Sequence, residues 1–393
     1  MHSKFSYKPL FFVCLIGTIF FTNNVLALMN STPIIMPTPP DIDAKAYLLI
    51  DYDSEQALSE KDAHKRIDPA SLTKMMTMYV IDRELSLGKI KLDDKVLISE
   101  KAWRTEGSRS FVEVNSQVKV EDLVKGIIVQ SGNDASTAMA EHVAGSEEAF
   151  TELMNYYAKI IGMKDTHFAN ATGLPNSETY TTAYDLAKLS KSIIRDYPQS
   201  YHLYSQKWFS FNGIKQNNRN KLLWKDPSVD GIKTGVTDSA GYCLAASAKR
   251  DNMRLIAVVM GTKSENERAN QTHRLLSYGF RFFETHKVYD ANTSLTNARV
   301  WMGKNREVPL GLKEDLYVTI PQGQYSNIDA SMTIKSHVTA PILGDAKLGK
   351  LSVKLGDKPL LERELYALNK VEEGGFFAKL TDYVKLKFES EES

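Results

Sequence analysis

The sequence predicts a mixed α/β (α+β) domain, then a small all-β domain, then a terminal amphipathic helix. Three observations carry this. Between residues 41 and 286, strand-like runs at both ends enclose a long helical stretch. From 287 to 372 the texture changes to short alternating runs punctuated by Pro and Gly. From 373 onward apolar residues return at helical spacing.

Ala46 to Asp51 reads as a strand, Asp53-Ser54-Glu55 as a turn, and Gln56 to Ser59 as the start of the return strand. From Ala70 to Leu87 the period becomes helical. Leu72, Met75, Met76, Tyr79 and Val80 form one apolar stripe, with Asp68 as N-cap and Pro69 opening the helix. Helical patterning recurs over 120–129, 133–143, 147–161 and 183–194. Three strand-like runs then follow in series at 229–234, 241–248 and 253–261. A last helix is expected over 265–283, with Ser264 and Glu267 at capping-box spacing. In the all-β part, 300–302, 316–320, 330–334 and 351–355 read as strands packed as a sandwich. After Gly374-Gly375, the residues Phe376, Phe377, Leu380, Tyr383, Val384 and Phe388 make an amphipathic helix with Lys379, Lys385 and Lys387 among them. It suits an anionic membrane surface, or docking on its own protein.

The N-terminal 27 residues read as a secretory signal. Lys4 and Lys8 precede an apolar run from Leu10 to Phe21, and Val25-Leu26-Ala27 offers a cleavage site. Residues 28–40 are a Pro-rich extended leader. With the signal removed Cys243 stands alone, so no intrachain disulfide is expected, and its apolar setting marks a buried structural thiol. Of the 393 residues 42% are hydrophobic and 25% charged, an ordinary globular balance. The net charge of +1 argues against nucleic acid as a partner. The eight histidines form no metal-ligand pattern, so neither metal nor cofactor is expected.

Chemistry enters through three strings: Ser71-Leu72-Thr73-Lys74, Ser131-Gly132-Asn133 and Lys233-Thr234-Gly235. Ser71 and Lys74 share one helix face at its positive end. There Lys74 serves as base to a serine nucleophile if burial and a second cation, expected to be Lys233, lower its pKa. Ser131 is placed to relay a proton. Gly132 permits a tight connection, and Asn133 either caps the next helix or binds a substrate carbonyl. Lys233 and Thr234 end a strand and can bind a terminal carboxylate. Gly235 lets a substrate approach the backbone, and the N–H groups of Ser71 and Val236 form a candidate oxyanion hole.

In this order and spacing the strings match the active-serine set of penicillin-binding proteins and serine β-lactamases. Residues 68–77, 130–135, 218–224, 229–235 and 278–285, with the β-rich domain and 372–377, resemble the D-alanyl-D-alanine carboxypeptidases among the low-molecular-mass penicillin-binding proteins. The resemblance implies a transpeptidase/β-lactamase-like domain whose five-stranded antiparallel sheet has helices on both sides, and a β-sandwich holding the site off the membrane. It implies removal of the last D-Ala from the pentapeptide stem of peptidoglycan, through an acyl-enzyme on Ser71 that water hydrolyses. Arg219 matches a position that helps with the terminal carboxylate. β-Lactams are expected as covalent inhibitors, and the location as periplasmic, attached peripherally to the inner membrane. Two departures stand out. Val236 occupies a position where some members carry histidine, and 101–111 is shorter than the matching loop in other members, which bears on deacylation. The competing readings are a serine β-lactamase, a D,D-endopeptidase and a penicillin-binding scaffold with little turnover. No Glu-x-x-Leu-Asn string for a deacylating water is present.

Overall fold

The computed structural model describes residues 38–389. The proposed signal segment and most of the leader lie outside these residues. A five-stranded antiparallel sheet forms the first domain's centre. Its strands are β1 (Ala46–Asp51), β2 (Ala57–Lys61), β3 (Val229–Thr237), β4 (Gly241–Arg250) and β5 (Met253–Thr262), in the order β2-β1-β5-β4-β3. The three runs read in series from the sequence are thus consecutive hairpin partners, Thr234 opposite Leu244 and Ala246 opposite Ala257.

Alternation along these strands divides the core in two, since successive side chains point to opposite faces. Leu48, Ala245 and Val258 face one layer of helices, whereas Leu49, Leu244 and Val259 face the other. The first layer holds α1 (Lys74–Ser86), α2 (Val120–Lys125), α3 (Asn133–Ala144), α4 (Glu147–Ile161) and α5 (Ala183–Asp196). The second is α6 (Glu265–Phe282), whose start is capped by the Ser264 hydroxyl accepting from the Glu267 N–H at 3.1 Å.

α1 departs from the expected one-sided stripe. Every residue from Lys74 to Asp82 is buried, so this helix runs through the core instead of bordering it. The side chains of Lys74 and Asp82 are thereby enclosed with it. Neither Asp82 oxygen has a well-formed hydrogen bond among the described residues. Burial pushes the carboxyl up to about 7, with Ser200 pulling weakly the other way. A carboxyl raised in the folded state costs stability as pH rises from the unfolded value of about 4 through the folded one. Asp82→Asn is therefore expected to match the parent near pH 4 and to exceed it by about 2–4 kcal/mol at pH 8, read from urea unfolding at both pH values. Equal stability at pH 8 would show that Asp82 is ionised at little cost.

The second domain begins its strand pairing with β6 (Phe283–Tyr289), where the sequence pattern suggests only the end of a helix. The remaining strands are β7 (Thr296–Trp301), β8 (Glu307–Gly311), β9 (Leu316–Pro321), β10 (Ile328–Ile334), β11 (Val338–Thr339), β12 (Lys347–Leu355) and β13 (Lys358–Ala367). β6 and β9 form a two-stranded sheet. The others form a six-stranded sheet in the order β10-β12-β13-β8-β7-β11. Val318 of the smaller sheet and Val300, Leu310, Leu351 and Leu365 of the larger share one core.

A buried carboxylate ties the two domains together. Asp51, at the end of β1, accepts from the Ser54 N–H at 2.8 Å and from the Thr285 hydroxyl of β6 at 2.7 Å. Thr319 of β9 closes the network through Ser54 Oγ at 2.6 Å and Thr285 Oγ1 at 2.9 Å. Burying such a charge is tolerable only with this many donors.

Candidate active site

Ser71 does not sit in the α-helix expected for it. It lies in a 3-10 turn, Ala70–Thr73, that leads into α1. Asp68 shapes that turn. One oxygen accepts from the Ala70 N–H at 2.8 Å, and the other from the Thr237 hydroxyl at 2.7 Å, which fastens the turn to the end of β3. The turn and the strand are pressed together at Gly235. A Cβ there would stand 3.1 Å from the backbone nitrogens of Ser71 and Leu72 and 3.0 Å from the Pro69 carbonyl oxygen. The sequence suggests that Gly235 makes room for a substrate; a side chain there would also crowd the serine's own turn.

Lys74 Nζ lies 3.0 Å from Ser71 Oγ and donates to the Thr172 carbonyl at 2.5 Å. The Thr172 carbonyl is presented by a tight turn. The Asn170 side-chain oxygen accepts from the N–H groups of Thr172 and Gly173 at 3.1 and 2.7 Å. Burial, helped by Arg219 and opposed by the charge of Asp134, brings the Lys74 amine down to about 7. Lys233 is the second cation that the sequence suggests; it and Lys74 repel each other, and Arg219 is a further cation acting on both. Lys233, fully enclosed on β3, is itself held well below the ordinary lysine range by burial and then by Lys74, Arg219 and Arg268. Its Nζ donates to the Thr234 carbonyl at 3.2 Å.

The corner between α2 and α3 contributes the string Ser131-Gly132-Asn133. The residue in the left-handed region is Ser131, at φ 65°, and not Gly132. Gly132 serves close packing instead, because a Cβ there would stand 2.0 Å from Ser110 Oγ. Asn133 does not cap α3 with its side chain. Its Nδ2 donates to the Glu106 carbonyl at 2.6 Å. The buried Ser131 Oγ and Asn133 Oδ1 have no partner among the described residues. Two unpaired polar atoms at one cleft are costly unless a bound group completes them.

Ser71, Ser131, Asn133, Arg219, Thr234, Gly235 and Val236 line one cleft of about 510 Å³. Lys74 and Lys233 lie buried beside it. The same cleft contains Arg268, which no motif marked. It is buried on α6 and donates to the Gly235 carbonyl at 3.3 Å. Glu265, which also lines the cleft, pairs with Arg268 at 3.3 Å, so Arg219 and Arg268 together leave the lining with an excess of positive charge, suited to an anionic group. A groove of about 600 Å³ between the domains is lined by Asp53, Ser54, Lys191, Lys313, Asp315, Arg363 and others, but its serine hydroxyl is bonded to Asp51 and Thr319 and to no lysine. Among the described residues no His/Cys/Asp/Glu cluster can hold a metal ion. Cys243 is buried in β4, and burial pushes its thiol up to about 11, as a structural thiol requires.

A hydroxyl within reach of an enclosed amine of lowered basicity, beside a strand edge and under two guanidinium groups, defines a serine acyl-transfer enzyme. Comparison with known proteins narrows this. Residues 34–264 match the D-alanyl-D-alanine carboxypeptidase family (peptidase S11), and residues 283–373 match the C-terminal domain of penicillin-binding protein 5. The chain belongs to the S11 D-alanyl-D-alanine carboxypeptidase family. It is 45% identical over 357 residues to D-alanyl-D-alanine carboxypeptidase DacC of Escherichia coli (strain K12), covering 89% of each chain. To DacA of the same strain it is 44% identical over 362 residues, 90% of each. The crystal structure of penicillin-binding protein 5 from Haemophilus influenzae superposes with a TM-score of 0.84 at 42% identity, covering 86% of this chain and all of that one. The five-stranded antiparallel sheet flanked by helices and the C-terminal β domain agree with the architecture that the resemblance implied.

Proposed function

We propose that this protein removes the terminal D-Ala from peptidoglycan pentapeptide stems and is acylated by β-lactams at the same serine. The observation that carries this reading is the 3.0 Å approach of the Lys74 amine, lowered to about 7, to Ser71 Oγ inside a cationic cleft. Ser71 Oγ attacks the penultimate D-Ala carbonyl carbon as its proton passes to Lys74. The N–H groups of Ser71 and Val236 stabilise the oxyanion. Ser131 relays the proton to the leaving amine, and the peptide bond breaks to release D-Ala. Water then attacks the acyl-enzyme and frees Ser71. Arg219, Lys233 and Thr234 bind the terminal carboxylate, with Gly235 clearing the strand. Asn133 holds the substrate backbone through its second amide N–H or Oδ1.

Incubation with diacetyl-Lys-D-Ala-D-Ala tests the reading. Release of D-Ala, with a long-lived benzylpenicillin adduct seen by mass spectrometry, is the expected result. Rapid turnover of penicillin without D-Ala release would mark a β-lactamase, and an adduct with neither activity a scaffold. Cleavage only of cross-linked peptides would mark an endopeptidase.

Membrane attachment belongs to the same proposal. In α7 (Phe376–Glu389) the apolar side chains Phe376, Phe377, Leu380, Tyr383 and Val384 are exposed. The helix docks instead by a polar residue. Asp382 is buried and accepts from the Met302 N–H at 2.7 Å and from Arg306. A helix held by its polar face and showing its apolar face outward fits a lipid surface. No helix among the described residues is long and apolar enough to cross a membrane. The proposed attachment is peripheral, through α7, with the site of action at the periplasmic face of the inner membrane. Deleting 376–393 is expected to move the protein from the membrane to the soluble fraction with D-Ala release unchanged; retention on the membrane would place the anchor elsewhere.

A further inference from the structure

Next to Asn133 stands a carboxylate that no step above uses. Asp134 is fully buried at the start of α3. Its Oδ1 accepts from the Ser110 N–H at 2.8 Å and from the Ala135 N–H at 2.8 Å. Its Oδ2 accepts from the N–H groups of Ser110, Phe111 and Val112 at 3.0, 2.9 and 3.3 Å. Three successive backbone donors of an irregular segment thus converge on one side chain. The same segment runs back along the cleft. The Ser108 carbonyl accepts from the Asn133 N–H at 2.7 Å, and the Glu106 carbonyl from Asn133 Nδ2 at 2.6 Å. The first of these bonds joins the motif's own backbone to the cleft wall, which Gly107 and Ser108 line directly. Ser110 fits a slot beside Gly132, where any Cβ would meet its hydroxyl at 2.0 Å.

We infer that Asp134 is a positioning residue, whose carboxylate oxygens lock the 106–112 wall against Asn133 and so set the cleft's shape over Ser71. A carboxylate suits this place because its oxygens only accept, and every group bonded to them is an N–H. An amide of the same size would point an NH₂ group at one or more of those donors. The charge also acts on the base. Lys74 is faced by Arg219 and Lys233, with Arg268 further along the cleft, and Asp134 is the acid that opposes them. Arg109, whose Nε lies 3.9 Å from Asp134 Oδ2, is the cation on its other side.

This inference rests on the reading of Ser71 and Lys74 given above, and the test separates the two. The Asp134→Asn variant and the parent are compared for acylation by a fluorescent penicillin between pH 5 and 9, with thermal melting as a check on folding. The variant is expected to label on Ser71 at least tenfold more slowly at its optimum, and its acid limb is expected to move to lower pH. A change in packing alone would not move that limb. A folded variant with the parent's rate and limb overturns the inference. A parent that forms no adduct overturns the reading of the site and this inference with it. Hydrogen exchange on the parent keeps the inference open to refutation even if the variant does not fold. The amides of Ser110, Phe111 and Val112 are expected to exchange at least a hundredfold more slowly than an open chain, although they belong to no strand. Exchange at open-chain rates would remove the lock.

Discussion

Ser71→Ala is expected to form no covalent adduct with a fluorescent penicillin, and to release no D-Ala, while melting within a few degrees of the parent. The side chain is half-buried at the cleft, and its hydroxyl is bonded to Lys74 at 3.0 Å. Removing one hydroxyl there takes no apolar contact from the core. It also relieves the partly filled site of a polar atom, so the stability effect stays within about 1 kcal/mol. The catalytic effect is of another order. Among the described residues no second hydroxyl is bonded to Lys74, whose other partner is the Thr172 carbonyl. Loss of a nucleophile that forms the covalent intermediate leaves only binding and oxyanion stabilisation, which cannot make an adduct. Mass spectrometry of the variant after prolonged exposure to penicillin measures this. An adduct at undiminished level would reject Ser71 as nucleophile and point to Ser131, another hydroxyl lining the cleft.

Much of this molecule was legible in its sequence for local reasons. The helices α2 to α6 announced themselves by period, and Ser264 with Glu267 marked the start of α6. β4 and β5 were legible because each is a largely apolar run bounded by turn residues, whereas β3 shows only Val229, Ile232 and Val236 among polar residues and glycines. What escaped was set by distance along the chain or by mixed exposure. The hairpin Trp208–Phe211 with Ile214–Asn217 was missed although Asn212-Gly213, with φ of 48° and 74°, carries the signal for its turn. Its strands alternate between buried Phe209 and exposed Trp208 over too few residues to stand out. β13 was missed because its charged run, Glu362-Arg363-Glu364, hides the alternation. The helix expected at Ser71 became a 3-10 turn because Asp68 and the abutting Gly235 constrain it from β3, a strand remote along the chain. In the cleft, the three strings point to the groups proposed to react. Arg268, Thr172 and Asp134 belong to the same machinery through long-range contacts, which no local pattern encodes.

Lys74→Met should lower the rate of acylation by about 10²–10⁴-fold and abolish its acid limb, because the enclosed amine is the base nearest Ser71 Oγ. In the parent, the rate follows the neutral fraction of Lys74. With the amine at about 7, it should rise roughly tenfold per pH unit below that value and level off above it. No histidine among the described residues lines this cleft to add a second limb near neutrality. The same substitution should make the protein more stable. A lysine whose folded pKa lies below its unfolded value costs stability wherever the unfolded chain holds the proton and the folded one resists it. That cost is full below about pH 7 and fades as pH rises toward the unfolded value of about 10.5. Methionine fills a similar volume without the charge. Lys74→Met is thus expected to gain a few kcal/mol in urea unfolding at pH 7, and less at pH 10. The two measurements test one physical claim from opposite sides. A variant that acylates within tenfold of the parent and keeps the same acid limb would remove Lys74 as base. One that is inactive but no more stable at pH 7 would show that the site holds the charged amine without strain. The cost of enclosing Lys74 on a core helix is what gives Ser71 its base, so the loss of activity and the gain in stability should appear together.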